Sequence, residues 1–185
     1  MRALLRSILF LAVLGTAGVS VGSAQRAAGE AIPATDVKAA AIQATLQQEI
    51  ASARPVVDTP IRTVDAGGHN VGVGLVYRIS PAQGGSASHD KVTEVYYILE
   101  GAGTLVTGGK LVDPERRTTA QETVTGINGP GVSGAKIQDG VSRRIAKGDV
   151  VIIPAGTPHW WSAVEAPSLN YLVVRVDPAR VVALK

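Results

Sequence analysis

The stretch His89–Gly101, HDKVTEVYYILEG, constrains the chain more than any other. After a short polar break the residues from Glu94 to Leu99 alternate, and the run stops at a glycine. Such alternation predicts a β-strand with one face inward. If Glu94 points inward, Tyr96 and Ile98 do too. A carboxylate at the head of an apolar inward row is costly unless something positive meets it, and a metal ion shared with an imidazole such as His89 is one solution. The alternative is a hairpin with Asp90, Lys91 and Glu94 solvated at its tip.

A second segment, residues 148–161, is similar in kind: an apolar strand over Val150–Ile153, a Pro154-Ala155-Gly156 turn, and His159 opening another apolar strand with Trp160 and Trp161. Together the two segments resemble the paired motifs of the cupin family. Gly148, Pro154, Gly156 and His159 match the second motif without a spacing error, with Ala163 where an Asn often stands. His89, Glu94 and Gly101 match the second His, the Glu and the Gly of the first motif. That motif's first His falls on Ala87, and its leading Gly on Pro81, with Gly84 and Gly85 close by. The resemblance covers roughly residues 69–176. It implies an all-β, cupin-like antiparallel jelly-roll barrel and a metal held by His89, Glu94 and His159, with three of four usual ligand positions filled.

Length agrees with one well-buried domain: 185 residues, 45% hydrophobic, with 21 Gly and 10 Pro for turns. Residues 1–24 predict a signal peptide. Arg2 and Arg6 precede an apolar run that is shorter than a membrane span, and Gly22-Ser23-Ala24 offers a cleavage site. The expected product is periplasmic or secreted, begins near Gln25, and is not membrane-bound after cleavage. The formal charge of +3 falls to +1 once those two arginines leave, which argues against nucleic-acid binding. There is no Cys, hence no disulfide, thiolate ligand or cysteine nucleophile.

Residues 25–58 form an arm and linker before the barrel domain of residues 59–185. Within the arm, Ile42, Leu46 and Ile50 predict one apolar stripe on a helix over residues 32–52, capped by Thr35 or Asp36 and packed on the barrel or on a second subunit, as in a homodimer. Val71, Val73, Leu75, Tyr77 and Ile79 alternate with smaller residues, so Gly72 and Gly74 leave room for a ligand or a neighbouring strand. His69 is expected at a loop end. Gly108-Gly109 predicts a hairpin between Leu105-Val106 and Lys110–Val112. The Gly-rich residues 113–140 predict a mobile flap in which Arg116 and Arg117 meet an anionic substrate. Residues 129–134 spell a dinucleotide fingerprint without its strand or helix, and it is rejected.

Two imidazoles and one carboxylate leave cis positions open on an octahedral ion, so one divalent metal, Fe, Mn, Ni or Zn, is expected. Tyr96 and Trp161 are expected to line the pocket, with core packing an equal reading of Trp161. No catalytic residue beyond the ligands is assigned. The family resemblance implies oxygenase-type activities but also isomerases, decarboxylases and non-enzymatic binders, and the first expectation is a metal-dependent dioxygenase or related oxidoreductase acting on a small molecule. The alternatives are a non-catalytic small-molecule binder with a degenerate site, and a metal-free isomerase using His89 or His159 as general base.

Overall fold

Alternating strands dominate the fold. The computed structural model describes residues 31–117, 121 and 123–185. The leader expected over residues 1–24 and its cleavage site lie outside the described residues. One helix, α1 (Ala39–Ala51), precedes thirteen strands: β1 (Val56–Asp65), β2 (Asn70–Ile79), β3 (Ser86–His89), β4 (Thr93–Glu100), β5 (Ala102–Thr107), β6 (Lys110–Val112), β7 (Glu115–Arg116), β8 (Gly131–Gly134), β9 (Lys136–Gln138), β10 (Val141–Ala146), β11 (Val150–Ile153), β12 (His159–Val164) and β13 (Ser168–Asp177). Among the described residues between β7 and β8, Val124–Asn128 form a π-turn.

Two antiparallel sheets result, with strand orders β1-β2-β13-β4-β11 and β10-β5-β12-β3-β8-β7, plus a small β6-β9 pair. This is the expected all-β jelly-roll architecture with one N-terminal helix, built as a double-sheet sandwich. The core takes the inward residues of both sheets. Val76, Tyr96, Ile98, Ile153, Leu169, Tyr171 and Val173 come from the first, and Leu105, Ile145, Trp161 and Val164 from the second. Glu94, Tyr96 and Ile98 are all buried, as the alternation of β4 predicts.

Three local expectations are corrected. Lys110–Val112 does not form a hairpin with β5: it pairs with Lys136–Gln138, while β5 is flanked by β10 and β12. The described part of residues 113–140 is not a structureless loop. It contributes β7, β8 and β9, and β8 pairs with β3 across Ser86↔Gly134 to His89↔Gly131. Gly-rich composition misleads here because short strands with small side chains suit a crowded sheet seam. The helix begins at Ala39, and neither Thr35 nor Asp36 caps it: Asp36 instead pairs with the Lys38 ammonium. Its stripe is also displaced. Ile42 and Leu46 are half-buried, but Ile50 is exposed and Glu49 is the buried residue. Positions 42, 46 and 49 follow the helical period, and Ile50 turns off that face.

Candidate metal centre

The site is assembled from three strands. His89 ends β3, Glu94 heads the inward row of β4, and His159 opens β12. Pairing of β12 with β3 puts His159 opposite Ala87, so both imidazoles stand on neighbouring strands of one sheet while Glu94 faces them from the other. The Pro154–Gly156 turn clasps the two motifs. The Gly156 amide donates to the His89 carbonyl at 2.6 Å, and the Ala155 amide donates to Thr93 Oγ1 at 3.2 Å. The spacing of the second motif therefore has a local cause: the turn that delivers His159 also pins the backbone that carries His89.

All three side chains are buried, and one ligand atom from each lies within 4.8 Å of the others. Nε2 of His89 and Nε2 of His159 each stand 3.5 Å from Glu94 Oε2. His159 Nδ1 lies 3.0 Å from the Thr157 carbonyl, which can only accept, so Nδ1 carries the hydrogen and Nε2 is bare. Burial pushes His159 down to about 4 against the opposing pull of Glu94, so the ring is neutral at pH 7. A bare imidazole nitrogen facing a carboxylate oxygen sets two lone pairs against each other, an arrangement a cation between them would relieve, and the residue types, burial and convergence of the trio suit a divalent ion.

Glu94 is set by four neighbours. Burial alone would raise its pKa, but the Arg175 guanidinium and the two imidazoles hold it well below the usual carboxylate range. Arg175 Nε donates to Glu94 Oε1 at 2.9 Å, and Tyr96 Oη donates to Oε2 at 2.7 Å. Arg175 also bridges to Asp58 on β1 with bonds of 3.2 and 2.5 Å. The space at Gly74 is filled by this guanidinium: a Cβ there would come within 3.2 Å of Arg175 Nη1 and 3.0 Å of the Thr59 carbonyl. The room expected beside Gly74 is thus shared by Arg175 and the neighbouring strand β1, and that beside Gly72 is met first by Thr63 Oγ1 of β1, 3.2 Å from where a Cβ would stand.

A cavity of about 90 Å³, open to solvent, borders the trio and is lined by Ala87, Tyr96, Trp160, Trp161, Arg78, Asp58 and Asn128 among others. Tyr96 and Trp161 both line it, and Trp161 is also core: 2% exposed, stacked on Tyr96 with centroids 6.5 Å apart, and donating to Tyr171 Oη at 3.2 Å. His69 lies in the turn between β1 and β2, apart from the trio. Arg116 pairs with Asp90, and Arg117 Nη2 sits 2.9 Å from His89 Nδ1.

Sequence reading missed Arg175, Arg78, Asp58 and the contact of Arg117 with His89. Arg175 left a signal, since it shares the inward parity of Leu169, Tyr171 and Val173 on β13, where a cation requires an acid opposite. Arg117 left none, because only the β3–β8 pairing brings its segment to His89.

A family model described as Cupin matches residues 68–184. No curated protein gives a significant match. Solved structures with a similar fold include BH2720 from Bacillus halodurans at 15% identity and TM-score 0.45, covering 79% of this chain and 83% of that one. KdgF from Halomonas sp. is 14% identical with TM-score 0.43, over 67% and 82% of the two chains. The polyketide cyclase RemF from Streptomyces resistomycificus is 14% identical with TM-score 0.40, over 66% of each.

Proposed function

As the chain belongs to the cupin family, we propose that it is an exported small-molecule enzyme of dioxygenase or related type, holding one divalent metal ion on His89, Glu94 and His159. The observation that carries this reading is the bare Nε2 of His159 facing the Glu94 carboxylate inside a buried His-Glu-His cluster. When bound, the metal supplies Lewis-acid or redox chemistry at positions the protein leaves open. Arg175 and Tyr96 keep Glu94 ionised and oriented, and the Thr157 carbonyl keeps the His159 tautomer that can ligate.

The cavity's charges favour an anionic ligand. Its two carboxylates, Asp58 and Glu94, are both engaged by Arg175. Among the described residues, Arg78 hydrogen-bonds to neutral groups, Tyr171 Oη at 3.2 Å and the Gln83 carbonyl at 3.3 Å, and feels Asp58 only through space. A cation with neutral partners beside a divalent ion suits a carboxylate, and Tyr96, Trp160 and Trp161 suit a flat ring attached to it.

Elemental analysis of protein purified without chelator tests the metal. About one ion per chain is expected, with most of it lost in His159→Ala, because two remaining donors hold a divalent ion poorly. Equal content in both proteins would refute the metal reading. The same His159 Nε2 also supports a metal-free isomerase with His159 as base, and full activity after chelation would favour that. Export is tested by the mature N-terminus, expected within a few residues of Gln25; an intact Met1 on exported protein would exclude cleavage.

A further inference from the structure

The two histidines of the trio are held in opposite ways. His159 is oriented by a carbonyl, which requires a hydrogen on Nδ1. His89 is oriented by Arg117 Nη2 at 2.9 Å from its Nδ1. An arginine has no acceptor, so the shared hydrogen belongs to the guanidinium and Nδ1 of His89 is the bare nitrogen. Its ring hydrogen then sits on Nε2, the atom that faces Glu94 Oε2 at 3.5 Å. A metal on Nε2 needs the other tautomer, in which an Nδ1–H would confront the Arg117 N–H.

Arg117 is seated firmly enough to impose this choice. Its backbone amide donates to the Gly131 carbonyl at 3.0 Å. Nη2 also donates to the Ser88 carbonyl at 2.8 Å, and Nη1 donates to the Val132 carbonyl and Ser133 Oγ at 3.1 and 3.3 Å. Gly131 on β8 leaves the space the guanidinium occupies: a Cβ there would lie 2.0 Å from Nη2. Every one of these acceptors is neutral, so the carboxylates of Asp90 and Glu94 act on the Arg117 charge through space rather than by a hydrogen bond, and its Nε is buried without a partner.

We infer that Arg117 holds His89 as the Nε2–H tautomer and thereby opposes metal binding at the trio, so that uptake of an ion requires the Arg117–His89 hydrogen bond to break. Arg117 is a tuning residue: it touches a ligand side chain from behind and reaches neither the ion nor a substrate. The inference rests on the proposed metal site, but its first half concerns the metal-free protein alone.

Two measurements test it. In chelated, ¹⁵N-histidine-labelled protein, long-range ¹H–¹⁵N spectra are expected to show hydrogen on Nε2 of His89 and on Nδ1 of His159. In Arg117→Met, which keeps the aliphatic stem, His89 is expected to move toward the Nδ1–H form. Chelator-competition titration with Zn²⁺ is expected to give about tenfold or greater tightening in Arg117→Met and Arg117→Ala, the scale of a lost charge-assisted hydrogen bond. Arg116→Ala removes an equal charge from the adjacent exposed position and is expected to change affinity less than about threefold. An Nδ1–H tautomer for His89 in the wild type, or equal Zn²⁺ affinity in wild type and both Arg117 variants, would overturn the inference. Failure of every variant to take up Zn²⁺ would overturn the metal site, and the claim of opposition with it, whereas equal affinities would leave the site standing.

Discussion

Glu49→Gln isolates one buried carboxyl whose cost depends on pH. Glu49 is 2% exposed on the face of α1 that packs against β1 and β2, and both carboxylate oxygens are buried with Thr59 as a polar neighbour. Burial raises its pKa from 4.5 to about 7, against the lowering pull of Thr59. The folded state therefore holds this proton where the unfolded chain has released it. The contribution is fully present below about pH 4.5, falls as pH rises between 4.5 and 7, and is lost above 7. At 1.36 kcal/mol per pH unit, the whole window amounts to about 3 kcal/mol as an upper bound. Glutamine has similar volume and does not titrate, so its own amide adds only a constant offset. Urea unfolding of both proteins from pH 4.5 to 8.5 should show the stability difference moving toward Glu49→Gln by up to about 3 kcal/mol and levelling off above pH 7. A difference constant to within about 0.5 kcal/mol across that range would mean that Glu49 ionises freely in the fold, and that the burial argument fails.

Arg175→Met should cost about 3–5 kcal/mol in chemical denaturation, because it strands Asp58 and Glu94 without their shared cation; a loss below about 1 kcal/mol would show the bridge to be dispensable. Ala87→His stands opposite His159 on the paired strand and borders the same cavity, so it should add a donor and tighten Zn²⁺ binding by about tenfold or more in chelator competition. Unchanged affinity would mean that position 87 does not reach the ion. Arg78→Gln should weaken binding of benzoate, followed by tryptophan fluorescence, by about tenfold while leaving benzamide unaffected. Equal loss for both would assign Arg78 to structure rather than to anion selection.

The order of residues along the chain was sufficient for the architecture and for the trio. Alternation in β4 and β13 is a local property of each segment, and it predicts which side chains turn inward before any partner is known. The spacing from Gly148 to His159 is likewise local, because the turn it encodes bonds directly to the His89 backbone. Where the sequence was silent, the decisive contacts joined segments far apart. Arg175 meets Glu94 because β13 and β4 are paired neighbours with those two residues in register, and it meets Asp58 across 117 positions of chain. Arg117 meets His89 only because β8 seals the edge of β3, and small residues there looked like a flexible loop until pairing gave them a place. The identities of the two histidines were visible in the sequence, but not their tautomers. A ring's hydrogen is assigned by the group behind it, a carbonyl for His159 and a guanidinium for His89, and only the packed sheets bring those groups into position.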